Sequence, residues 1–225
     1  AGLSYLSAKD NSTFLGANLA WELAPQRSLD ATVITIPASD TLFRTPSGDG
    51  VDREGITTLS GHGRWGPLFG LPSGLLEGQV AAQTGHGGDV LAWAGYASVG
   101  YQLRRWPWRP ALVYRYARWS GDDPSTRTYE RWDPLLAAGS DEWAQGLVFS
   151  KIVPNANLET HRVRLYVGPR DDLNITLDFF HYRALEQNNL GGSPILSTLS
   201  SLDLGDELML IARWQVSGNL FFQGV

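Results

Sequence analysis

Apolar and polar residues alternate with a period of two through most of this chain. Between residues 89 and 104, every second position from Leu91 to Leu103 is apolar or small, and the positions between them include Gln102 and Arg104. Side chains that follow this period point alternately to the two faces of a β-strand. The pattern therefore predicts an all-β protein. Eleven strands are predicted, at residues 2–8, 12–24, 28–37, 55–66, 75–86, 89–104, 111–121, 157–168, 173–185, 206–217 and 219–225.

The predicted strands are long. Most hold about 10–14 residues, roughly twice the usual length in globular proteins, whereas a tilted membrane strand needs about 9–11 residues in the hydrocarbon layer. The three long links, at residues 38–54, 122–156 and 186–205, all follow odd-numbered strands, and every link after an even-numbered strand is short. This parity is typical of a barrel whose short turns share one rim and whose long loops share the other. The chain is therefore predicted to form an antiparallel up-and-down transmembrane β-barrel.

Residues 109–123, RPALVYRYARWSGDD, mix cations and aromatics densely within one predicted strand. Alternate residues from Leu112 to Arg118 are predicted to face lipid, with Arg118 near the rim, where a long cation reaches the polar boundary. Arg115 then points into the lumen. An alternative interpretation places the aromatic residues in the core of a soluble barrel. Four tryptophans lie near predicted strand ends, as an interfacial girdle requires: Trp21, Trp65, Trp106 and Trp108.

Composition narrows the function classes. The 225 residues contain no linker and are predicted to form one barrel domain, residues 1–225. Lys and Arg number 18 against 23 Asp and Glu, so the net charge of −5 argues against a general nucleic-acid binder. Cys is absent, which excludes a disulfide framework, and no run of about 18 apolar residues predicts a helical membrane span. The counts of 9 Trp, 8 Tyr, 8 Phe and 25 Gly favour an all-β chain.

Three motifs occur in a fixed order along the chain: Glu77-x5-Gln83-x-Gly85, a predicted strand that ends in Ser120-Gly121-Asp122, and Trp132-Asp133-Pro134-Leu135. Together with the segments around them, over roughly residues 75–225, they resemble the alginate export family of bacterial outer-membrane barrels. The resemblance implies a wide β-barrel in the outer membrane that exports an anionic polysaccharide through an arginine-lined pore. Because bacterial barrels usually have an even number of strands, the eleven predicted here are expected to be part of a larger barrel, incomplete at one or both ends.

The positions predicted to point inward carry both charges. Six are basic (Arg64, Arg104, Arg115, Arg162, Arg164 and Arg213) and five are acidic (Glu22, Asp30, Glu77, Asp178 and Glu207). Arg115 and the pair Arg162 and Arg164 lie on consecutive strands, where guanidinium groups could bind carboxylates. The alternative is that these arginines only form salt bridges with neighbouring acids. The candidate pore-lining residues are Arg115, Arg162, Arg164, Arg213, Arg64, Glu77 and Asp178.

Other chemistry is poorly supported by the sequence. The four histidines have no metal-ligand spacing, and Ser120-Gly121-Asp122-Asp123 is better interpreted as a turn than as a calcium loop. No G-x-S-x-G signal occurs, so neither an enzyme nor a cofactor is predicted. The segment Asp141–Pro154 is apolar for a loop. It either folds inward as a constriction or forms an extra strand.

The favoured hypothesis is an outer-membrane channel or exporter for an anionic solute, with an anionic polysaccharide such as alginate as a candidate. Two alternatives stay open: a general nutrient porin, and a plugged structural barrel that binds partner proteins of the cell envelope. The expected partners are the solute, outer-membrane lipid and such envelope proteins, with no nucleic acid. No cofactor is expected.

Overall fold

The computed structural model describes residues 2–7, 11–46, 48–68, 70–85, 88–135, 143, 145–187, 199–218 and 220–225. The strands are β1 (Gly2–Ser7), β2 (Thr13–Ala24), β3 (Arg27–Ala38), β4 (Leu42–Arg44), β5 (Gly50–Asp52), β6 (Thr57–Trp65), β7 (Gly74–Thr84), β8 (Leu91–Gln102), β9 (Ala111–Trp119), β10 (Leu158–Arg170), β11 (Leu173–Ala184), β12 (Asp203–Ser217) and β13 (Leu220–Gly224). No helix in this part of the chain is long and apolar enough to cross a membrane.

Eleven of these strands form one antiparallel sheet in chain order, β1-β2-β3-β6-β7-β8-β9-β10-β11-β12-β13. Each strand pairs with the next one, including β9 with β10 across the longest link. The predicted number of strands and their up-and-down order are therefore confirmed. In the described residues the sheet is open, with β1 and β13 at its edges, which is the architecture of part of a β-barrel. The short strands β4 and β5 form a separate hairpin inside the loop after β3, which the sequence did not predict.

Several strand ends differ from the prediction by two or three residues; β12, for example, begins at Asp203 and not at residue 206. β8 ends at Gln102, so Arg104 lies in the following turn and not on the inner wall. The backbone N–H of Leu103 donates to the carbonyl of Pro110, which closes this turn. In contrast, β10 continues to Arg170, two residues beyond the predicted end.

The short turns lie at one end of the sheet and the long loops at the other, as predicted, because every strand runs antiparallel to its neighbours. Neighbouring segments at this end are hydrogen-bonded to one another. Gly66 N donates to Gln26 O (2.9 Å), and Gly168 N, near the end of β10, donates to Trp108 O (2.8 Å) in the turn after β8. Exposed tryptophans cluster at this end, namely Trp21, Trp65, Trp106, Trp108 and Trp214. Their position fits the aromatic girdle of a membrane barrel.

The two faces of the sheet differ as the period of two predicts. On the outer face, large apolar side chains such as Leu112, Leu165 and Leu177 are exposed. On the inner face, Arg115 and Asp178 are both 0% exposed. A soluble barrel would bury its apolar side chains, so this distribution favours the membrane interpretation over a soluble core.

Two rows of polar side chains interrupt the apolar outer face near the long-loop end. They follow the lateral register of β9–β12, with Tyr116, His161, His181 and Asp206 in one row and Arg118, Glu159, Arg183 and Asp203 in the next. The hydroxyl of Tyr116 donates to Glu159 (2.7 Å), and His181 hydrogen-bonds to Asp206 (2.8 Å). The guanidinium of Arg118 lies 5.3 Å from the ring centre of Trp93. These rows mark a polar boundary on this part of the wall, and Arg118 lies within it, as predicted.

The core lies on the inner face, where the loop between β9 and β10 covers the sheet. Its buried members from the sheet include Ala94, Ala117 and Tyr182, and the loop contributes Trp132 and Val153. Burial of apolar side chains is worth roughly 25 cal/mol per Å². This loop therefore contributes directly to the hydrophobic packing of the inner face, beside a second buried cluster that includes Phe14, Ile36 and Ile56.

Candidate functional site

Four of the seven predicted site residues, Arg64, Glu77, Arg115 and Arg162, fall on one lateral row of the inner face. The register joins Arg64 to Glu77, Glu77 to Ser98, and Ser98 to Arg115. It continues from Arg115 to Arg162 and then, through Phe180, to Glu207. Period-two alternation on antiparallel strands brings these residues side by side although they are far apart in sequence.

Arg115 and Arg162 are neighbours on β9 and β10, and both are almost completely buried, at 0% and 1% exposure. Arg115 Nη2 donates to the hydroxyl of Thr160 (3.5 Å), and its guanidinium lies 6.0 Å from the ring centre of Phe180. Two guanidinium groups thus lie side by side in a shielded place, where the interior screens charge less than water does.

Arg164 and Asp178 form a two-pronged ion pair on the inner face of β10 and β11. Arg164 Nε donates to Asp178 Oδ1 (2.7 Å) and Nη2 donates to Oδ2 (2.8 Å). This geometry is the strong form of an arginine–carboxylate contact. Arg164 is therefore paired with a neighbouring acid, which is the alternative that the sequence analysis left open for these arginines.

Arg162, Arg164 and Arg213 meet around one small cavity of about 70 Å³. Thr176 and Gln145 also line it. Arg213 is exposed, and its Nε donates to Gln223 Oε1 (2.8 Å). Three guanidinium groups around a space of this size suit a small acceptor such as a carboxylate.

Arg64 and Glu77 belong to a different part of the wall. Glu77 accepts a hydrogen bond from Tyr96 (3.3 Å) and also bonds to His62 Nε2 (3.1 Å), while His62 Nδ1 bonds to Asp30 (2.7 Å). Arg64 is exposed near the short-turn end of β6. The structure therefore separates the seven predicted residues into an arginine-rich group on β9–β12 and this mixed group on β3–β7.

Residues 145–156, here called the inner segment, fold against the inner face of the sheet. They contain a 3₁₀ turn at Phe149–Lys151 and no strand. The ring of Phe149 stacks on Tyr182 with 3.6 Å between ring centres. Just before the segment, Trp143 packs edge-on against Tyr96 and donates to Gln79 Oε1 (2.7 Å). The choice left open by the sequence is thus resolved for these residues in favour of an inward fold, whereas 141, 142 and 144 lie outside the described residues.

Two of the sequence motifs contact each other at the long-loop end. Gln83 Nε2 donates to the carbonyl of Asp133 (2.8 Å), and the backbone N–H of Asp133 donates to Gln83 Oε1 (2.9 Å). The carboxylate of Asp133 pairs with Arg53 (2.7 Å), a buried residue in the loop that contains β4 and β5. Sequence reasoning missed Arg53 because nothing in the residues around it signals a partner 80 positions away.

The segment Ser120-Gly121-Asp122-Asp123, predicted to be a turn, leads from β9 into a turn at residues 123–126, in which Thr126 N donates to Asp123 O (3.2 Å). Asp122 Oδ1 accepts the backbone N–H of Glu130 (2.8 Å), and Asp123 Oδ1 accepts that of Ser125 (2.8 Å). Burial raises the pKa of the Asp122 carboxyl, whereas the hydrogen bonds from Ser125 lower the pKa of Asp123. Among the described residues there is no group of three or more His, Asp or Glu side chains that could hold a metal ion.

Comparison with known proteins assigns the chain to one family. No curated protein matches the chain. The family model described as alginate export matches residues 54–222, which contain β6–β12 and the first part of β13. That range includes all seven predicted site residues, the three motifs and the inner segment. The matched range is about three quarters of the sequence, and the chain therefore belongs to the alginate export family, which at the family level makes it a polysaccharide-export protein of the bacterial outer membrane.

Proposed function

We propose that the protein passes an anionic polysaccharide, or a comparable anionic solute, through the outer membrane, and that the inner face of β9–β12 lines the path. The observation that carries this proposal is the group of four arginines on that face, Arg115, Arg162, Arg164 and Arg213. The described acids beside them are Asp178 and Glu207. This part of the wall therefore favours anions over cations.

The arginines differ in how they would act. Arg213 is exposed, so its guanidinium can contact a solute directly. Arg115 and Arg162 are covered in this conformation and act on the lumen through their electrostatic field. Arg164 is held by Asp178 and keeps the wall in shape. Several weak sites in series allow an anion to enter and to leave again.

We expect the double substitution Arg115→Gln and Arg162→Gln to lower the preference for anions over cations. Arg164 is kept because its removal would leave Asp178 buried without this partner, at a cost of about 3–5 kcal/mol. The measurement is the reversal potential of the reconstituted full-length protein under a salt gradient. The matched control is Arg104→Gln with Arg105→Gln, which removes the same charge from an exposed short turn.

Equal selectivity of the double variant and the wild type would contradict the proposal. A large, weakly selective conductance in both proteins would favour a general nutrient porin. The second candidate function, a structural barrel that binds partner proteins, is favoured by the inward fold of the inner segment. It predicts no measurable conductance in either protein.

A further inference from the structure

One carboxylate of the sheet accepts two backbone hydrogen bonds from the inner segment. Glu207, on the inner face of β12, accepts the backbone N–H of Val148 through Oε1 (3.0 Å) and that of Phe149 through Oε2 (3.1 Å). Hydrogen bonds to an ionised acceptor are stronger than those between neutral groups. Glu207 therefore anchors the start of the 3₁₀ turn to the wall.

Tyr182, on the adjacent strand β11, completes the attachment. Its hydroxyl accepts the backbone N–H of Gly146 (2.9 Å) and donates to Glu207 Oε2 (3.3 Å). Its ring stacks on Phe149 with planes 2° apart. Tyr182 thus contacts Gly146 and Phe149, and it also hydrogen-bonds to the carboxylate that accepts the N–H groups of Val148 and Phe149.

Gly146 lets the backbone approach this carboxylate closely. A Cβ atom at this position would overlap the carboxylate group of Glu207. An alanine at this position would therefore push the Glu207 carboxylate away from the backbone that it binds.

Several apolar side chains of the segment gain little packing energy from lying against the sheet. Leu147, Val148 and Ile152 are 50%, 61% and 53% exposed, whereas Val153 is buried. Exposed apolar side chains contribute little packing energy that would be lost on movement. The first part of the segment is thus held by a few polar contacts and by the stack of Phe149 on Tyr182, and so small a set of contacts favours local opening.

We infer that Glu207 and Tyr182 form a latch that holds residues 145–152 over the arginine-rich wall, and that release of the latch uncovers the cavity bordered by Arg162 and Arg164. Gln145 lines that cavity together with the two arginines, so movement of the segment opens the space directly. The consequence for transport rests on the proposed function, since an uncovered guanidinium matters only if a solute passes.

The test uses a protease that cleaves after lysine. The chain has two lysines, Lys9 and Lys151, and Lys151 is exposed at the end of the 3₁₀ turn. Cleavage after Lys151, identified by fragment mass in the folded full-length protein, reports release of the segment and requires no channel activity. The test variants are Glu207→Gln, Gly146→Ala and Tyr182→Phe. The control is Asp206→Asn, which alters the next residue of β12 on the opposite face.

We expect Glu207→Gln and Gly146→Ala to raise the cleavage rate at least about tenfold, which corresponds to about 1.4 kcal/mol. Tyr182→Phe keeps the aromatic stack and should give a smaller increase. Cleavage of all three variants at the rate of the control, with thermal unfolding showing that they are folded, would overturn the latch. Single-channel conductance is measured in parallel and should rise in the variants. Faster cleavage with unchanged conductance would support the latch and count against the proposed function.

Discussion

Leu177 lies in the middle of an apolar row on the outer face, between Leu165 on β10 and Leu210 on β12. A charged side chain near the midplane of the bilayer is destabilising by about 2–4 kcal/mol, and near the interfaces by about 0–1 kcal/mol. We therefore expect Leu177→Arg to lower the free energy of unfolding by about 2–4 kcal/mol. Urea titrations of the protein refolded into lipid vesicles would measure the change.

The control for this substitution is Val216→Arg. Val216 is also exposed on the outer face, but it is the second-last residue of β12 and lies beside the short turn. A new arginine there reaches the headgroups and should cost little. Equal losses of stability in the two variants would show that the outer face does not lie against lipid at the assigned depth.

The face of the sheet to which each side chain points could be predicted from the sequence, because side chains alternate between the two faces along a strand. Leu112 and Arg115 are correctly assigned to opposite faces by counting alone, since neighbours on a strand alternate. The pairing of charges was less predictable. Nothing local distinguishes Arg164, which is bound to Asp178, from Arg162, because this depends on the register between strands.

Among the elements, the loop after β9 offers a test of pH dependence. Burial raises the pKa of Asp122, so its carboxyl holds a proton more tightly in the folded chain than in the unfolded one. The free energy of unfolding therefore falls as the pH rises from the ordinary carboxyl value of about 4 through the raised value. Asp122→Asn removes this titration and keeps an oxygen for the N–H of Glu130. We expect the variant to be the more stable protein at neutral pH, with a flatter dependence on pH in thermal unfolding.

Asp123→Asn provides a control of opposite sign. The pKa of Asp123 is lowered, so its ionised form contributes stability that is present above the unfolded pKa and is lost as the pH falls through the folded value. This substitution should therefore reduce stability at neutral pH. The explanation fails if both substitutions shift the unfolding temperature in the same direction.

Elements inside loops were the least predictable part of the fold. The hairpin of β4 and β5 has three residues in each strand, too few for a period to be recognised. The inward fold of the inner segment depends on Tyr182 and Glu207. Tyr182 lies 36 positions from its partner Gly146, and Glu207 lies 59 and 58 positions from Val148 and Phe149. Long-range contacts of this kind leave no local pattern. The segment of Asp122 and Asp123 does leave one, because both carboxylates accept N–H groups from residues close by in the chain.

At the scale of the whole molecule, the two ends of the sheet should lie on opposite sides of the membrane, with the long loops outside the cell. The chain contains no Cys, so a single cysteine can report exposure. Ser125 is exposed in the loop after β9, and Ser217 is exposed at the short-turn end of β12. We expect a membrane-impermeant maleimide to label Ser125→Cys but not Ser217→Cys on intact cells, and to label both once the outer membrane is permeabilised. The opposite pattern on intact cells would invert the orientation.

The overall topology was predictable for a physical reason. Strand lengths and the alternation of short and long links are properties of the chain itself, and together they allow few arrangements other than an up-and-down sheet. The contact between Gln83 and Asp133 was not predictable, although both belong to motifs that were recognised. Its two partners are 50 residues apart, and only the folded loop brings them together.

The two polar rows on the outer face limit how much hydrocarbon this side of the wall can cover. Below them, the apolar outer positions of β12 run from Leu208 to Val216, eight residue steps along the strand. At about 3.3 Å per residue this is roughly 26 Å, or about 20 Å along the membrane normal for a strand tilted by about 40°. An apolar band is typically about 25 Å tall. The arc formed by β9–β12 therefore has a hydrophobic mismatch of about 5 Å, and we expect the surrounding bilayer to thin locally or to recruit lipids with shorter acyl chains there.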